Sequence, residues 1–169
     1  MDYLKLTQFY ERLEETTKRL EKTEIVKELF QNTSKTDIEA VVHLIIGKVF
    51  TEISENKTGV NNKLVIKALA STVGTTPEQV EKEWAKLGDL GNVAEKLIQN
   101  KKQTTLFSKK VTTNKVFENT KKLASMEGKG SVEKRVELMK ELLSAATPKE
   151  AKYLVRLFLE DLRIGVGES

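Results

Sequence analysis

Two short stretches hold the residues of this chain best suited to chemistry. Arg163, Gly165 and Gly167 fall within five residues in the run Leu159 to Ser169, LEDLRIGVGES. Glycines that close let a backbone approach a partner with no side chain in the way, and the arginine beside them supplies a rigid, permanently charged fork. That combination suits a phosphate backbone. The same spacing also fits a helix that stops at Gly165 and frays into a linker, glycine being common just past a helix end. The second stretch is Gly128-Lys129-Gly130-Ser131, with Lys134 one turn on. Ser131 is a natural N-cap, and glycines around a lysine just before a helix leave N–H groups and the positive end of the helix dipole facing outward, an anion site in principle. A plain glycine turn between helices accounts for these residues equally well. The stretch is not a P-loop, because the GxxxxGK[ST] spacing is missing and no strand precedes it.

Composition narrows the chemistry further. With 169 residues the chain fits one domain with a substantial core. It has no cysteine, which removes disulfides and thiolate metal sites, and its single histidine, His43, argues against a histidine metal cluster or a catalytic triad. No paired acids sit in a recognisable catalytic loop, so neither a catalytic nor a metal site is expected. The absence of a membrane-length apolar run and of a basic-then-apolar leader leads us to expect a soluble, cytoplasmic protein. Charge is uneven. From Lys101 to Arg135 ten Lys/Arg face three acids, giving +7, while the total is only +4 and the remainder therefore carries −3. A basic segment on an otherwise slightly acidic chain favours a polyanionic partner.

The elements that must position these residues read as helices. Apolar spacing predicts helices over Thr7 to Leu20 and Thr23 to Phe30, then a third opened by a capping box at Thr36-Asp37-Ile38-Glu39. The body of that third helix, Ile38 to Ile46, is apolar nearly all round, which places it in the core with His43 as a core or subsurface residue. Polar residues from Thr51 to Asn61 read as a loop, followed by helices at Asn62 to Val73 and Thr76 to Leu87, with Trp84 facing inward. Gly88-Asp89-Leu90-Gly91 breaks the pattern before a short turn at Asn92 to Leu97, and Gln99 to Thr112 reads as extended. The last third then echoes the first. Phe117-Glu118 answers Tyr10-Glu11, Lys140-Glu141-Leu142-Leu143 answers Lys27-Glu28-Leu29-Phe30, and Thr147 to Ala151 answers Thr36 to Ala40, at offsets of 107, 113 and 111. The expected architecture is an all-α, single-domain bundle of about nine to twelve helices. It contains internally duplicated units related by a pseudo-two-fold, at about 7–50 and 113–165, around a middle insert at 51–112.

The motifs Gly88-Asp89-Leu90-Gly91-Asn92-Val93-Ala94-Glu95 and Asp161-Leu162-Arg163-Ile164-Gly165-Val166-Gly167-Glu168 closely resemble the N-terminal DNA-binding domain of ATP-dependent DNA ligases of the archaeal replicative type. Val116-Phe117 at a helix start and the Gly128 to Ser131 loop lie between them in matching order. The resemblance covers essentially the whole chain. It implies sequence-independent binding of nicked double-stranded DNA, with the catalytic work, ATP and magnesium belonging to other domains. No Lys-x-Asp-Gly occurs in this sequence, so the chain alone should be inactive. The resemblance places Gly128, Lys129, Gly130, Ser131 and Lys134 on one strand's backbone and Arg163, Gly165 and Gly167 at the minor groove, with a third, weaker contact at the lead-in from Tyr3 to Thr7. Gln103, Leu106 and Phe107, in an extended stretch between lysines, resemble a shortened sliding-clamp-binding motif, although Leu106 and Phe107 equally suit a cap on the domain's own core. A monomer is expected. The contrasting reading is a non-catalytic helical scaffold for protein partners, whose basic segment is simply a solvated face.

Overall fold

A computed structural model describes residues 1–48, 62–101, 109–126 and 130–167. Among them are nine helices: α1 Tyr3–Glu14, α2 Arg19–Gln31, α3 Ile38–Ile46, α4 Asn62–Val73, α5 Pro77–Leu87, α6 Leu90–Asn100, α7 Thr113–Ser125, α8 Ser131–Ala145 and α9 Pro148–Phe158. The all-α expectation is met. The described residues hold no sheet, only an isolated antiparallel bridge between Asp2 and Thr112. Through it Tyr3 donates its N–H to the Val111 carbonyl and Thr113 donates to Met1, so the starts of α1 and α7 are tied to each other.

The centre of the bundle is α9. Ala151, Tyr153, Leu154, Val155, Leu157 and Phe158 are all buried, and so are the polar Glu150 and Arg156, which leaves the helix enclosed on nearly every side. It runs along α6 and also packs on α1 and α8, while α4 packs along α8. Each large apolar side chain taken fully out of water contributes roughly 1.5–3 kcal/mol, so a helix this enclosed anchors the fold. Thr147 caps it in a complete capping box: the Thr147 hydroxyl accepts from the Glu150 N–H, and the Glu150 carboxylate accepts from the Thr147 N–H.

Several local expectations are revised. The first helix ends at Glu14 and the second begins at Arg19, so Glu21 and Lys22, left between the two expected helices, lie inside α2. Thr16 explains the break, because its hydroxyl donates to Glu21 and accepts from the Lys18 N–H, competing with helical pairing. Leu20 consequently leaves the apolar face and stands 82% exposed. The expected capping box at Thr36 does not form; Asp37 takes the N-cap position of α3 without a capping hydrogen bond. Its carboxylate instead accepts from the Met1 amino group, Ser34 and Asn114. α3 is also less central than its composition suggests, with Ile38, Ile46 and His43 exposed. His43 stacks on Phe117, ring centroids 5.0 Å apart. Trp84 is half-buried at the edge of the core. The short turn after Gly91 is a full helix, α6, capped by the Asp89 carboxylate on the Asn92 N–H at 3.0 Å.

Candidate nucleic-acid interface

After α9 the chain does not fray. From Glu160 to Gly167 it is a folded strap in which Leu162 and Ile164 are buried and Arg163, Gly165 and Gly167 are exposed. Two non-glycine residues have positive φ, Glu160 at 53° and Arg163 at 61°, joined by Gly165 at 66° and Gly167 at 76°. L-residues resist that conformation, and it persists only where surrounding contacts enforce it. Here the enforcing contacts are visible. Leu162 packs into the space left by Gly47, where an added Cβ would stand 2.7 Å from Leu162 Cδ1. The Lys22 ammonium donates to the Ile164 carbonyl at 2.6 Å. Gly167 lies over Ile46, leaving an added Cβ at ordinary contact distance, 3.5 Å.

The arginine is held from the other side. Arg163 donates through Nε to Asp161 at 3.1 Å, and its Nη2 lies 3.3 Å from Asp89 Oδ1. Asp89 is in turn gripped by the buried Arg156, whose Nε and Nη2 reach Asp89 Oδ2 at 3.2 and 3.0 Å. Arg156 Nη1 reaches Glu14 at 2.9 Å, and Glu14 also accepts from the Tyr153 hydroxyl at 2.7 Å. A continuous chain of alternating charge thus ties α1, α9, α6 and the strap together. Burial alone would push the Asp89 carboxyl up, but the Asn92 N–H, Arg156 and Arg163 outweigh it and hold Asp89 below its usual range. Glu14 behaves alike: burial acts upward, and the bonds from Tyr153 and Arg156 bring it below the ordinary carboxylate value. The hydrogen bond to Asp161 raises Arg163 above its already high value, so its charge is secure.

The second group sits at the start of α8. Gly130, not Ser131, occupies the N-cap, at φ 88°, and an added Cβ there would meet nothing within 4 Å. Ser131 is the first helical residue and is buried, while Lys134 is exposed. A glycine N-cap supplies no side-chain hydrogen bond to the first turn of α8. Arg135 donates to the Met126 carbonyl, fastening the end of α7 to this helix start. Gly128 and Lys129 lie outside the described residues, as do Gln103, Leu106 and Phe107.

Of the expected site residues, Arg163, Gly165 and Gly167 share the strap, and Gly130, Ser131 and Lys134 share one helix start. Tyr3 and Thr7 are different: both are fully buried, Tyr3 ring to ring with Tyr10 and Thr7 bonded to the Leu4 carbonyl, so neither side chain is presented to a partner. Sequence reading gave no role to Asp89, Asp161 or Lys22. Asp89 lay in plain view inside a motif, but Lys22 carried no signal at all, since its partner is 142 residues away.

Residues 2–169 match the family model described as DNA ligase N terminus. The chain is 43% identical over 167 residues to a DNA ligase of Methanothermobacter thermautotrophicus, covering 99% of this chain and 30% of the relative. It is 42% identical over 169 residues to a DNA ligase of Methanobrevibacter smithii, covering 100% and 31%, and 36% identical to one of Thermococcus fumicolans, covering 100% and 30%. The chain therefore spans about 30% of the length of the relatives it matches.

Proposed function

The chain belongs to the DNA ligase N-terminal family, and from that membership we propose that it grips nicked double-stranded DNA for an ATP-dependent ligase of replication and repair. The observation that carries this reading is the strap: an exposed arginine and two exposed glycines held at positive φ by ion pairs and buried anchors. A surface whose shape is fixed before binding loses little entropy on docking. Glycines at its crest admit a sugar–phosphate backbone closely, and the start of α8 supplies a second cluster of N–H groups with Lys134 beside it. Contacts of this kind read phosphate and shape but not base identity, which suits an enzyme whose nicks occur in any sequence.

On the same reading Gly128 and Lys129 contribute to DNA binding, and Gln103, Leu106 and Phe107 anchor a sliding clamp. We assign ATP, magnesium and nick sealing in the cytoplasm to the full-length enzyme, since this sequence has no Lys-x-Asp-Gly. Among the described residues no group of three or more His, Cys, Asp or Glu is arranged to hold a metal.

The test is a fluorescence-anisotropy titration of the chain with nicked and intact duplexes across a salt series. Binding should be alike for unrelated sequences. The double variant Lys134→Ala/Arg163→Ala should bind every duplex more weakly, with the slope of log affinity against log salt flattened by about 0.9 for each phosphate that is no longer neutralised. Parent-like affinity of this variant at every salt concentration would reject the reading.

A further inference from the structure

Lys22 projects from the first turn of α2, a helix with no expected part in DNA binding, and its ammonium lies beneath the strap. It donates to the Ile164 carbonyl at 2.6 Å. It also occupies the space where a side chain on Gly165 would begin, so a Cβ added there would collide with the Lys22 ammonium. Gly165 is required by its φ of 66°, and a side chain there would also push the lysine end away from the Ile164 carbonyl. The side chain of Lys22 is half-buried, and its ammonium is committed to a backbone oxygen. A lysine placed this way spends a donor on the backbone beneath the strap. Its work is to fix the carbonyl orientation between Arg163 and Gly165, and with it the turn that presents both.

We propose that Lys22 is a positioning residue for the DNA-facing strap, acting through the Ile164 carbonyl and not through phosphate. The proposal rests on the reading of Arg163, Gly165 and Gly167 as DNA contacts. It predicts a loss of affinity of a different kind from that of a phosphate-binding lysine. Removing a phosphate ligand lowers both affinity and salt slope, the latter by about 0.9, whereas removing a positioning residue lowers affinity and leaves the slope where it was.

The experiment measures nicked-duplex binding by anisotropy over a salt series for Lys22→Met, Lys22→Arg, Gly165→Ala and the double variant Lys22→Met/Gly165→Ala. Lys27→Met is the control for charge, removing an exposed lysine from the same helix. Circular dichroism and urea unfolding establish that each variant is folded. Lys22→Met should weaken binding about three- to tenfold, no more than the worth of one charge-assisted hydrogen bond, with an unchanged slope. Lys27→Met should bind as the parent does. Lys22→Arg keeps a donor and should recover part of the loss. The double variant should be little worse than Gly165→Ala alone, because both changes break the same interaction. Folded Lys22→Met with parent affinity would overturn the proposal. So would a slope reduced by about 0.9 by Lys22→Met in an Arg163→Ala background, where no Arg163 contact is left to lose, since that would make Lys22 itself a phosphate ligand. If Arg163→Ala and Gly165→Ala also bind as the parent does, the failure belongs to the functional reading; if they weaken binding and Lys22→Met does not, it belongs to Lys22 alone.

Discussion

Gly91 is an ordinary helical glycine in its backbone, yet it has no room for a Cβ. An added methyl would stand 2.8 and 2.9 Å from Nε and Cγ of Arg156 and 3.0 Å from Asp89 Oδ2. None of these atoms can swing away cheaply, because Arg156 is buried and tied to Asp89 and Glu14 at once. Helix propensity pulls the other way, since alanine is better than glycine by about 1 kcal/mol in a helix interior. Overpacking costs about 1–3 kcal/mol and a disturbed charged hydrogen bond about 1.5–3 kcal/mol, so the clash wins. Gly91→Ala should therefore destabilise the fold by about 2 kcal/mol or more. A lower urea midpoint with an unchanged denaturant slope is the expected result. From sequence alone Gly91 reads only as a helix breaker, since the reason for it is Arg156, far along the chain. Arg163 shows the same division: its type and its glycine neighbours were legible as an anion-binding pattern, but the carboxylates of Asp89 and Asp161 that hold it were not.

At the scale of elements, two helix starts with the same T-x-x-E-A pattern behave differently. Before α9, Thr147 has extended backbone angles, φ −71° and ψ 165°, and forms both halves of the capping box. Before α3, the N-cap is Asp37 with helical angles, and Thr36 only meets the Ser34 hydroxyl. Thr147→Ala should cost about 1–2 kcal/mol, the usual worth of a lost N-cap. Thr36→Ala should change stability by no more than about 0.5 kcal/mol. Equal losses in thermal or urea unfolding would mean that the two starts are alike after all. Helix existence and type were legible for most elements from the apolar period, α6 after Gly91 being read only as a short turn, whereas the ends depended on competition. Thr16 ended the first helix early by bonding to Glu21, and Asp37 was drawn from its cap by the Met1 amine and Asn114. Those choices are made by partners that periodicity does not register.

For the molecule as a whole, the central fact is that one ionic chain runs through Glu14, Arg156, Asp89 and Arg163, and so joins the first helix to the strap. The basic segment that dominates the sequence reading is partly offset in the fold, with Lys115 paired to Glu141 at 2.7 Å and Lys110 near Asp2 at 3.8 Å. Stability should accordingly depend on acid titration more than on the net charge of +4. Glu14 and Asp89 titrate below their ordinary values in the folded state. An acid with a depressed folded value binds protons more readily when unfolded, so its contribution is complete above the unfolded value, about 4, and is lost as pH falls through the folded one. Glu150 has the opposite sign. Burial raises it, so protonation on acidification favours the folded state and softens the decline. Asp37, held down by the Met1 amino group and Ser34, and Glu28, Glu83 and Glu141, each held down by a basic partner, act in the same direction as Glu14 and Asp89. With Glu150 opposing them, urea stability measured between about pH 7 and pH 3 should fall on the acid side, below the ordinary carboxylate value. Glu14→Gln keeps an acceptor for the Tyr153 hydroxyl but removes the charge facing Arg156 Nη1. It should be less stable than the parent at neutral pH and should converge with it as the pH falls, because the parent then loses the same charge by protonation. Curves that stay parallel down to the acid end would show that the Glu14 carboxylate contributes nothing through ionisation, and that α1 is held to α9 by packing, the Tyr153 hydrogen bond and the Lys149–Glu11 pair.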